Sequence, residues 1–185
     1  MEVRPSYRYS FSSSSLQLSV PLLKLNLPWE RESLNMFGRD VLVPRQVAFI
    51  ADEGVCYRYS GKDHHGRGWP DWLLLAKKEA EKLADQSFNS VLLNWYQHGE
   101  EYMGWHSDDE KKLGPAPVVA MLSFGVKRPF VFRLKENHKV KHSVEVEDGS
   151  WLIMSSSTQV LWQHSLPVRK KIKEERISLT FRLLL

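Results

Sequence analysis

From residue 91 onward the chain is a succession of short β-rich runs: VLLNWY (91–96), VVAMLSF (118–124), FVFRL (130–134), SVEVE (143–147), SWLIM (150–154), QVLWQH (159–164) and RISLTFRLL (176–184). Gly114-Pro115, Asp148-Gly149 and Leu166-Pro167 separate them with turn chemistry. Strands this short and this closely spaced predict a sandwich or a barrel. One helix precedes them. In DWLLLAKKEAEKLAD (71–85) Asp71 is placed to cap, and apolar residues recur at 73, 76, 80, 83 and 84 with Lys and Glu between. The first 20 or so residues are Ser-rich, with Ser12 to Ser15 unbroken, and read as a poorly ordered arm, folded structure beginning near Leu22. No internal repeat is present. The fold class expected is mainly β (α+β).

At 185 residues and 21.6 kDa the chain has the size of one domain with one substantial core. Its 42% apolar and 26% charged residues exclude collagen-like, coiled-coil and largely disordered chains. The longest apolar runs, Trp72 to Ala76 and Val118 to Leu122, fall far short of the ~20 residues a membrane helix needs, so no membrane partner is expected. The N-terminus shows no signal-like pattern. The single cysteine, Cys56, excludes an internal disulfide, and both features fit a reducing intracellular compartment. The net charge is +4, and its location matters more than its size. Between Lys127 and Arg176 lie eleven Lys or Arg against six acids, an excess larger than that of the whole chain. On charge alone, a solvated basic surface and a nucleic-acid face are equally good accounts.

His106-Ser107-Asp108 sets two metal-ligand types two residues apart, and in an extended segment both leave the same face. His164, closing the QVLWQH run before a proline turn, is the best third candidate. Two imidazoles and a carboxylate on one octahedral face leave three positions open, which suits non-haem Fe(II) and oxygen chemistry; zinc favours a closed or tetrahedral set. A lone His-x-Asp is also a common chance match. In RISLTFR (176–182), Ile177, Leu179 and Phe181 occupy one strand face and Arg176, Ser178, Thr180 and Arg182 the other. That polar face meets either solvent or an interior site. Inside, two guanidinium groups would ask for an anion, and a dicarboxylate co-substrate answers with charge-assisted hydrogen bonds. Asn94 and Tyr96, on a common face of the NWY run, could complete its cradle.

Taken together, NWY (94–96), HSDDE (106–110), SFG (123–125), FVFR (130–133), HSLPVRKK (164–171) and RISLTFR (176–182) resemble, in this order, the AlkB-type Fe(II)/2-oxoglutarate dioxygenases that repair alkylated nucleic acids. The likeness covers Val43 to Leu183. The intervals from Asn94 to His106 and from His164 to Arg176, both twelve, look more like the eukaryotic AlkB homologue-two branch, which acts on DNA, than like the founding bacterial member. The resemblance implies a double-stranded β-helix, or jelly roll, with an N-terminal helical and nucleotide-recognition extension. It divides the chain into the arm (1–20) and one dioxygenase domain (21–185), with a recognition part over about 21–90 and a catalytic β-helix over about 91–185. His106, Asp108 and His164 are then the catalytic ligands of Fe(II). Asn94, Tyr96, Arg176, Ser178, Thr180 and Arg182 hold 2-oxoglutarate, with Arg176 and Tyr96 at its distal carboxylate, and O2 is the oxidant. Ser178 departs from the family, whose members commonly carry Asn there.

The implied activity is oxidative demethylation of N-alkylated DNA bases of the 1-methyladenine and 3-methylcytosine type, releasing succinate, CO2 and formaldehyde. A methyl on a base edge reaches the metal only if the nucleotide is flipped from the stack. Asn35-Met36-Phe37-Gly38, followed by Val43-Pro44-Arg45, resembles the branch's intercalating finger, with Phe37 and Met36 as the wedge; a core aromatic is the alternative for Phe37. Tyr57 and Tyr59 in CYRYSG match the family's lesion-pocket aromatics, with core packing as the alternative for each. Asp109 and Glu110 would face a cationic methylated base. Arg169, Lys170 and Lys171 correspond to the basic stretch that grips the DNA backbone, and the 135–142 loop looks shorter than its family counterpart. His64, His65 and His98 read as exposed and Cys56 as a small buried residue. The expected partner is alkylated DNA, double-stranded before single-stranded, met by a monomer in the nucleus of a eukaryote or the cytoplasm of a bacterium. Two other readings stay open: the same chemistry on RNA or protein, and a nucleic-acid-binding homologue without catalysis.

Overall fold

The computed structural model describes residues 4–36, 39–59 and 62–185, and the side chains of 34–36, 39, 40 and 59 lie outside that description. In chain order the elements are β1 (Tyr7–Phe11), α1 (Val20–Asn26), β2 (Ser33–Met36), β3 (Arg39–Leu42), β4 (Gln46–Ala51), β5 (Cys56–Tyr59), β6 (Lys62–His65), α2 (Asp71–Ala84), β7 (Ser90–Tyr96), β8 (Met103–His106), a 3-10 turn (Lys111–Leu113), β9 (Val119–Gly125), β10 (Arg128–Leu134), β11 (Lys141–Val146), β12 (Ser150–Met154), α3 (Ser156–Leu161), β13 (Trp162–Leu166) and β14 (Arg176–Arg182). A six-stranded sheet runs β1-β12-β9-β14-β7-β4 and a four-stranded sheet runs β11-β10-β13-β8, every pairing antiparallel; β2-β3 and β5-β6 are separate hairpins. The chain is mainly β with few helices, in keeping with a jelly roll.

Strand β14 shows how alternation builds the two cores. Ile177, Leu179 and Phe181 join Leu93, Leu122 and Trp151 beneath α2, which contributes Leu73, Ala76, Ala80 and Ala84. Alanines at three of these four contact positions let the helix lie close to the sheet. The second core, with Met121, Phe130, Phe132, Leu152, Met154 and Trp162, fills the space between the two large sheets. Arg176, Ser178, Thr180 and Arg182 point toward that second space and are buried, so every residue of β14 is buried on one side or the other. The solvent alternative for the two arginines is thereby excluded.

Four expectations are corrected. Tyr7–Phe11 is a strand rather than part of a disordered arm: it pairs with β12 from Tyr7↔Met154 to Phe11↔Ser150, and Tyr7 stacks on Phe132 with centroids 5.5 Å apart. Pairing to an otherwise open sheet edge outweighs the serine-rich composition that follows. Within the one domain expected over 21–185, the large sheets are not confined to 91–185, because β1 and β4 both lie in the six-stranded sheet with β7 and β14. In QVLWQH, residues 159–161 end helix α3 and only Trp162 onward is strand. That helix docks through Thr158, whose hydroxyl donates to the Ser6 carbonyl at 2.6 Å and accepts from its amide at 2.9 Å. Helix α2 is capped by Pro70, not Asp71: the Pro70 carbonyl already accepts from the Leu73 amide, so helical bonding starts one residue early. Asp71 then sits in the first turn, where a carboxylate favours the helix dipole.

Candidate metal and co-substrate site

His106 is the last residue of β8, and His164 lies directly across from it on β13. Their rings meet edge to face with centroids 4.3 Å apart. Asp108 follows two residues later, turned inward because its amide donates to Gln159 Oε1 at 3.0 Å and the Ser107 hydroxyl donates to the Trp162 carbonyl at 3.0 Å. Ligand atoms of His106, Asp108 and His164 all lie within 4.8 Å of one another. A cation about 2.1 Å from each of three facial donors needs them about 3 Å apart, a small contraction from this arrangement.

The surroundings prepare each donor. His106 Nδ1 contacts the Gly104 carbonyl at 2.9 Å; with the proton on Nδ1, Nε2 is left as the donor toward a metal. Burial, reinforced by the His164 imidazole, lowers the His106 pKa to about 4, so the ring is neutral at physiological pH. Burial alone would raise Asp108, but the Arg182 guanidinium and the two imidazoles overcome it and hold the carboxyl well below the usual range. Phe130 stacks on His164 at 5.2 Å and fixes its plane. Asp108 Oδ2, 3.5 Å from His164 Nε2, is buried without a hydrogen-bond partner among the described residues. An unsatisfied buried carboxylate oxygen facing an imidazole nitrogen is what a bound cation would relieve.

A cavity joins this triad to Asn94, Tyr96, Arg176, Ser178, Thr180 and Arg182, so the structure brings all the expected metal and co-substrate residues around one space. Their roles in it differ. Arg182 donates to Asp108, whereas Arg176 pairs with no carboxylate among the described residues. Its Nη2 donates to the Ser123 hydroxyl at 2.8 Å and lies 3.7 Å from Met121 Sδ, its carbon sits 5.6 Å from the Tyr96 ring centre, and its Nε has no partner. Burial lowers the Arg176 pKa to about 10, which still leaves it charged at neutral pH. A fully buried guanidinium without a counter-ion fits an anionic ligand. Ser178 lies between Asn94 and Ser123 in register, its short hydroxyl well inside the sheet.

The expected substrate residues are placed less uniformly. Tyr57 is 2% exposed, its ring against Phe49 and its hydroxyl donating to Glu110 Oε1 at 3.2 Å, so it offers an edge to the site and not an open stacking face. Partial enclosure, and the neighbouring Asp108, raise the Glu110 pKa above its ordinary value. Asp109 instead pairs with Lys135 at 2.9 Å. Arg169, Lys170 and Lys171 are exposed in a turn whose backbone is fastened by Arg169 N to Gly99 O at 2.6 Å. Phe37 lies outside the described residues, as do the side chains of Met36 and Tyr59. Of the eleven cations between Lys127 and Arg176, Arg128 and Arg176 are buried and contribute nothing to a surface.

Several working residues escaped the sequence. Arg45, expected only as part of the finger motif, is buried and donates through Nε to Asn94 Oδ1 at 2.7 Å. Arg128 is fully buried and its Nη2 donates to the Glu101 carbonyl (3.2 Å) and the Pro167 carbonyl (2.8 Å), tying together the outer ends of the two histidine-bearing strands. Its neighbour Pro129 gave no hint of an interior position. His64, expected at the surface, is half-buried against Glu32. Cys56, expected buried, is partly exposed.

The sequence pattern of the 2OG-Fe(II) oxygenase superfamily matches residues 9–182. The chain is 35% identical over 191 residues to the "DNA oxidative demethylase ALKBH2" of Arabidopsis thaliana, covering 88% of this chain and 60% of that protein. It is 38% identical over 159 residues to the Homo sapiens protein of the same name (82% and 61%), and 38% identical over 165 residues to the "Alpha-ketoglutarate-dependent dioxygenase alkB homolog 3" of Bos taurus (85% and 57%). The chain thus spans about three-fifths of the length of these curated relatives. A solved structure entitled "The structure of OsALKBH1" has the same fold, with a TM-score of 0.58 over 99% of both chains at 16% identity.

Proposed function

The chain belongs to the 2OG-Fe(II) oxygenase superfamily, and from that premise we propose that it is an oxidative demethylase of N-alkylated bases in DNA, using Fe(II), 2-oxoglutarate and O2. The observation that carries this reading is Arg176, a buried cation with no carboxylate partner among the described residues, lining the same cavity as His106, Asp108 and His164. A dicarboxylate that ligates the metal at one end and meets Arg176 and Tyr96 at the other satisfies both sets at once.

When bound, Fe(II) with its co-substrates supplies the oxidation that hydroxylates an N-methyl group, which then leaves as formaldehyde while succinate and CO2 are released. The protein's own part is positional. His106, Asp108 and His164 would hold the metal. Arg176, Ser123 and Tyr96 orient the co-substrate, and Asn94, steadied by Arg45, faces the same cavity. Glu110, already receiving the Tyr57 hydroxyl, offers a carboxylate to the edge of a flipped cationic base, and Arg169, Lys170 and Lys171 supply an exposed basic turn, fastened to Gly99, for the phosphate backbone. DNA as substrate is further supported by the names of the relatives. Among the described residues no helix is long and apolar enough to cross a membrane; a DNA substrate would put the protein inside the cell.

The test is succinate and formaldehyde release from matched single- and double-stranded oligonucleotides carrying 1-methyladenine, with His106→Ala as control. Stoichiometric release that vanishes in the control is expected. Turnover of 2-oxoglutarate with no loss of methyl from either oligonucleotide would move the substrate to RNA or protein.

A further inference from the structure

The segment entering β2 and strand β6 border a cavity of about 370 Å3, and their charges interlock. Glu30 and Glu32, two residues apart, meet Lys62 and His64, also two apart. Lys62 Nζ donates to Glu30 Oε2, and His64 Nε2 lies 2.9 Å from Glu32 Oε1. The period of two puts the members of each segment on one face, so the two contacts form a double clasp. The outer pair is exposed and of a kind that contributes little. The inner pair is different: the Glu32 side chain is 3% exposed and that of His64 11%, the two atoms approach to 2.9 Å, and among the described residues neither Glu32 Oε2 nor His64 Nε2 has a hydrogen-bond partner. Burying a carboxylate so incompletely satisfied is costly, and such pairs are best explained by the geometry they specify.

That geometry runs to the site. Glu32 closes the open end of the β2-β3 hairpin, its carbonyl accepting from the Val43 amide at 2.8 Å. His64 stands directly across the β5-β6 hairpin from Tyr57, and both rings pack on Phe49, at 5.5 and 5.9 Å. Tyr57 in turn reaches Glu110, two residues beyond the ligand Asp108. Resting on the demethylase reading above, we propose that the Glu32–His64 pair is a positioning device that locks the β2-β3 hairpin to the β5-β6 hairpin and so presents Tyr57 and Glu110 to the substrate base. It acts on substrate binding and leaves the metal centre alone.

A double-mutant cycle on the full chain tests this, with Glu32→Ala, His64→Ala and the pair, assayed on a 1-methyladenine duplex beside Mn(II) and 2-oxoglutarate titrations. Each single variant should raise KM about five- to tenfold, the double variant no further, with kcat within about twofold. Metal and 2-oxoglutarate affinities should not move, and His64→Gln, which keeps an N–H donor, should recover most of the loss. Additive effects, or parallel loss of metal affinity, would overturn the proposal. Amide exchange separates it from the functional reading: in His64→Ala the Val43 amide and those of Tyr57 and Arg58 should lose protection together, whatever the turnover. A wild type inactive on every methylated oligonucleotide would sink the demethylase reading alone, whereas unaltered exchange in His64→Ala would sink the clasp even in an active enzyme.

Discussion

Arg182 donates through both Nε and Nη2 to a single oxygen of Asp108, at 3.0 and 2.5 Å, leaving Oδ2 turned toward His164. One guanidinium thus sets the rotamer of the carboxylate ligand and balances its charge inside the sheet. Removing it should strand a buried anion, so Arg182→Met is expected to destabilise the metal-free protein by about 3 kcal/mol. A divalent cation bound at the triad would pair with Asp108 again and restore part of the loss. Thermal denaturation with chelator and with Mn(II) measures both; a variant as stable as wild type without metal would mean that Asp108 is not held by this contact.

Arg176 presents the opposite case, a buried cation with, among the described residues, only a hydroxyl and a thioether to receive its donors. Its charge is a liability until an anion arrives. Arg176→Met should therefore leave the melting temperature of the metal-free protein unchanged or raise it, while weakening 2-oxoglutarate binding at least about tenfold, the worth of a lost charge-assisted hydrogen bond. Calorimetric titration of the Mn(II)-loaded protein reads the second effect, and undiminished affinity would remove Arg176 from the co-substrate cradle.

These two arginines mark where sequence reasoning reached. Alternation along β14 put Arg176, Ser178, Thr180 and Arg182 on one face, and that face does line the cavity. Local spacing could not say whether the face was wet, because that depends on the four-stranded sheet lying over it. Tyr7–Phe11 was illegible for a related reason: its stability comes from pairing with β12, some 140 residues away in sequence. Gln159 to Leu161 carry strand-like residues yet end a helix fastened to Ser6 through Thr158. His64 and Arg45 find their partners, Glu32 and Asn94, across separate hairpins and strands, with no short motif to announce them.

His106 gives the site a pH signature. Its pKa is lowered to about 4 in the folded chain against about 6.5 for a free imidazole, so between these values the unfolded chain binds the extra proton. The His106 contribution to the stability of the metal-free protein should accordingly fall as pH drops from about 6.5 to about 4, by on the order of 1–3 kcal/mol, and level off below that, where loss of the Asp108 contribution begins. His106→Asn should flatten this part of the profile. Chemical denaturation at half-unit pH intervals in chelator provides the comparison, and equal slopes in the two proteins would assign the dependence to other groups.

Gly99 governs the basic turn. A Cβ built there would lie 1.9 Å from the Arg169 carbonyl oxygen and 2.9 Å from the Ile172 side chain, closer than any real contact, and the first of these is backbone that cannot swing aside. The close approach exists because the Gly99 carbonyl accepts from Arg169 N and its own amide donates to the Ile172 carbonyl, at 2.9 Å. Gly99→Ala must push the 169–172 turn outward, carrying Arg169, Lys170 and Lys171 with it while His164 stays anchored in β13. The expected outcome is weaker binding of duplex DNA, a smaller dependence of that binding on salt because fewer phosphates are neutralised, and unaltered Mn(II) affinity. Fluorescence anisotropy across a salt series distinguishes this from general damage: a salt slope equal to wild type would show that the turn does not touch the DNA backbone, even if affinity had fallen.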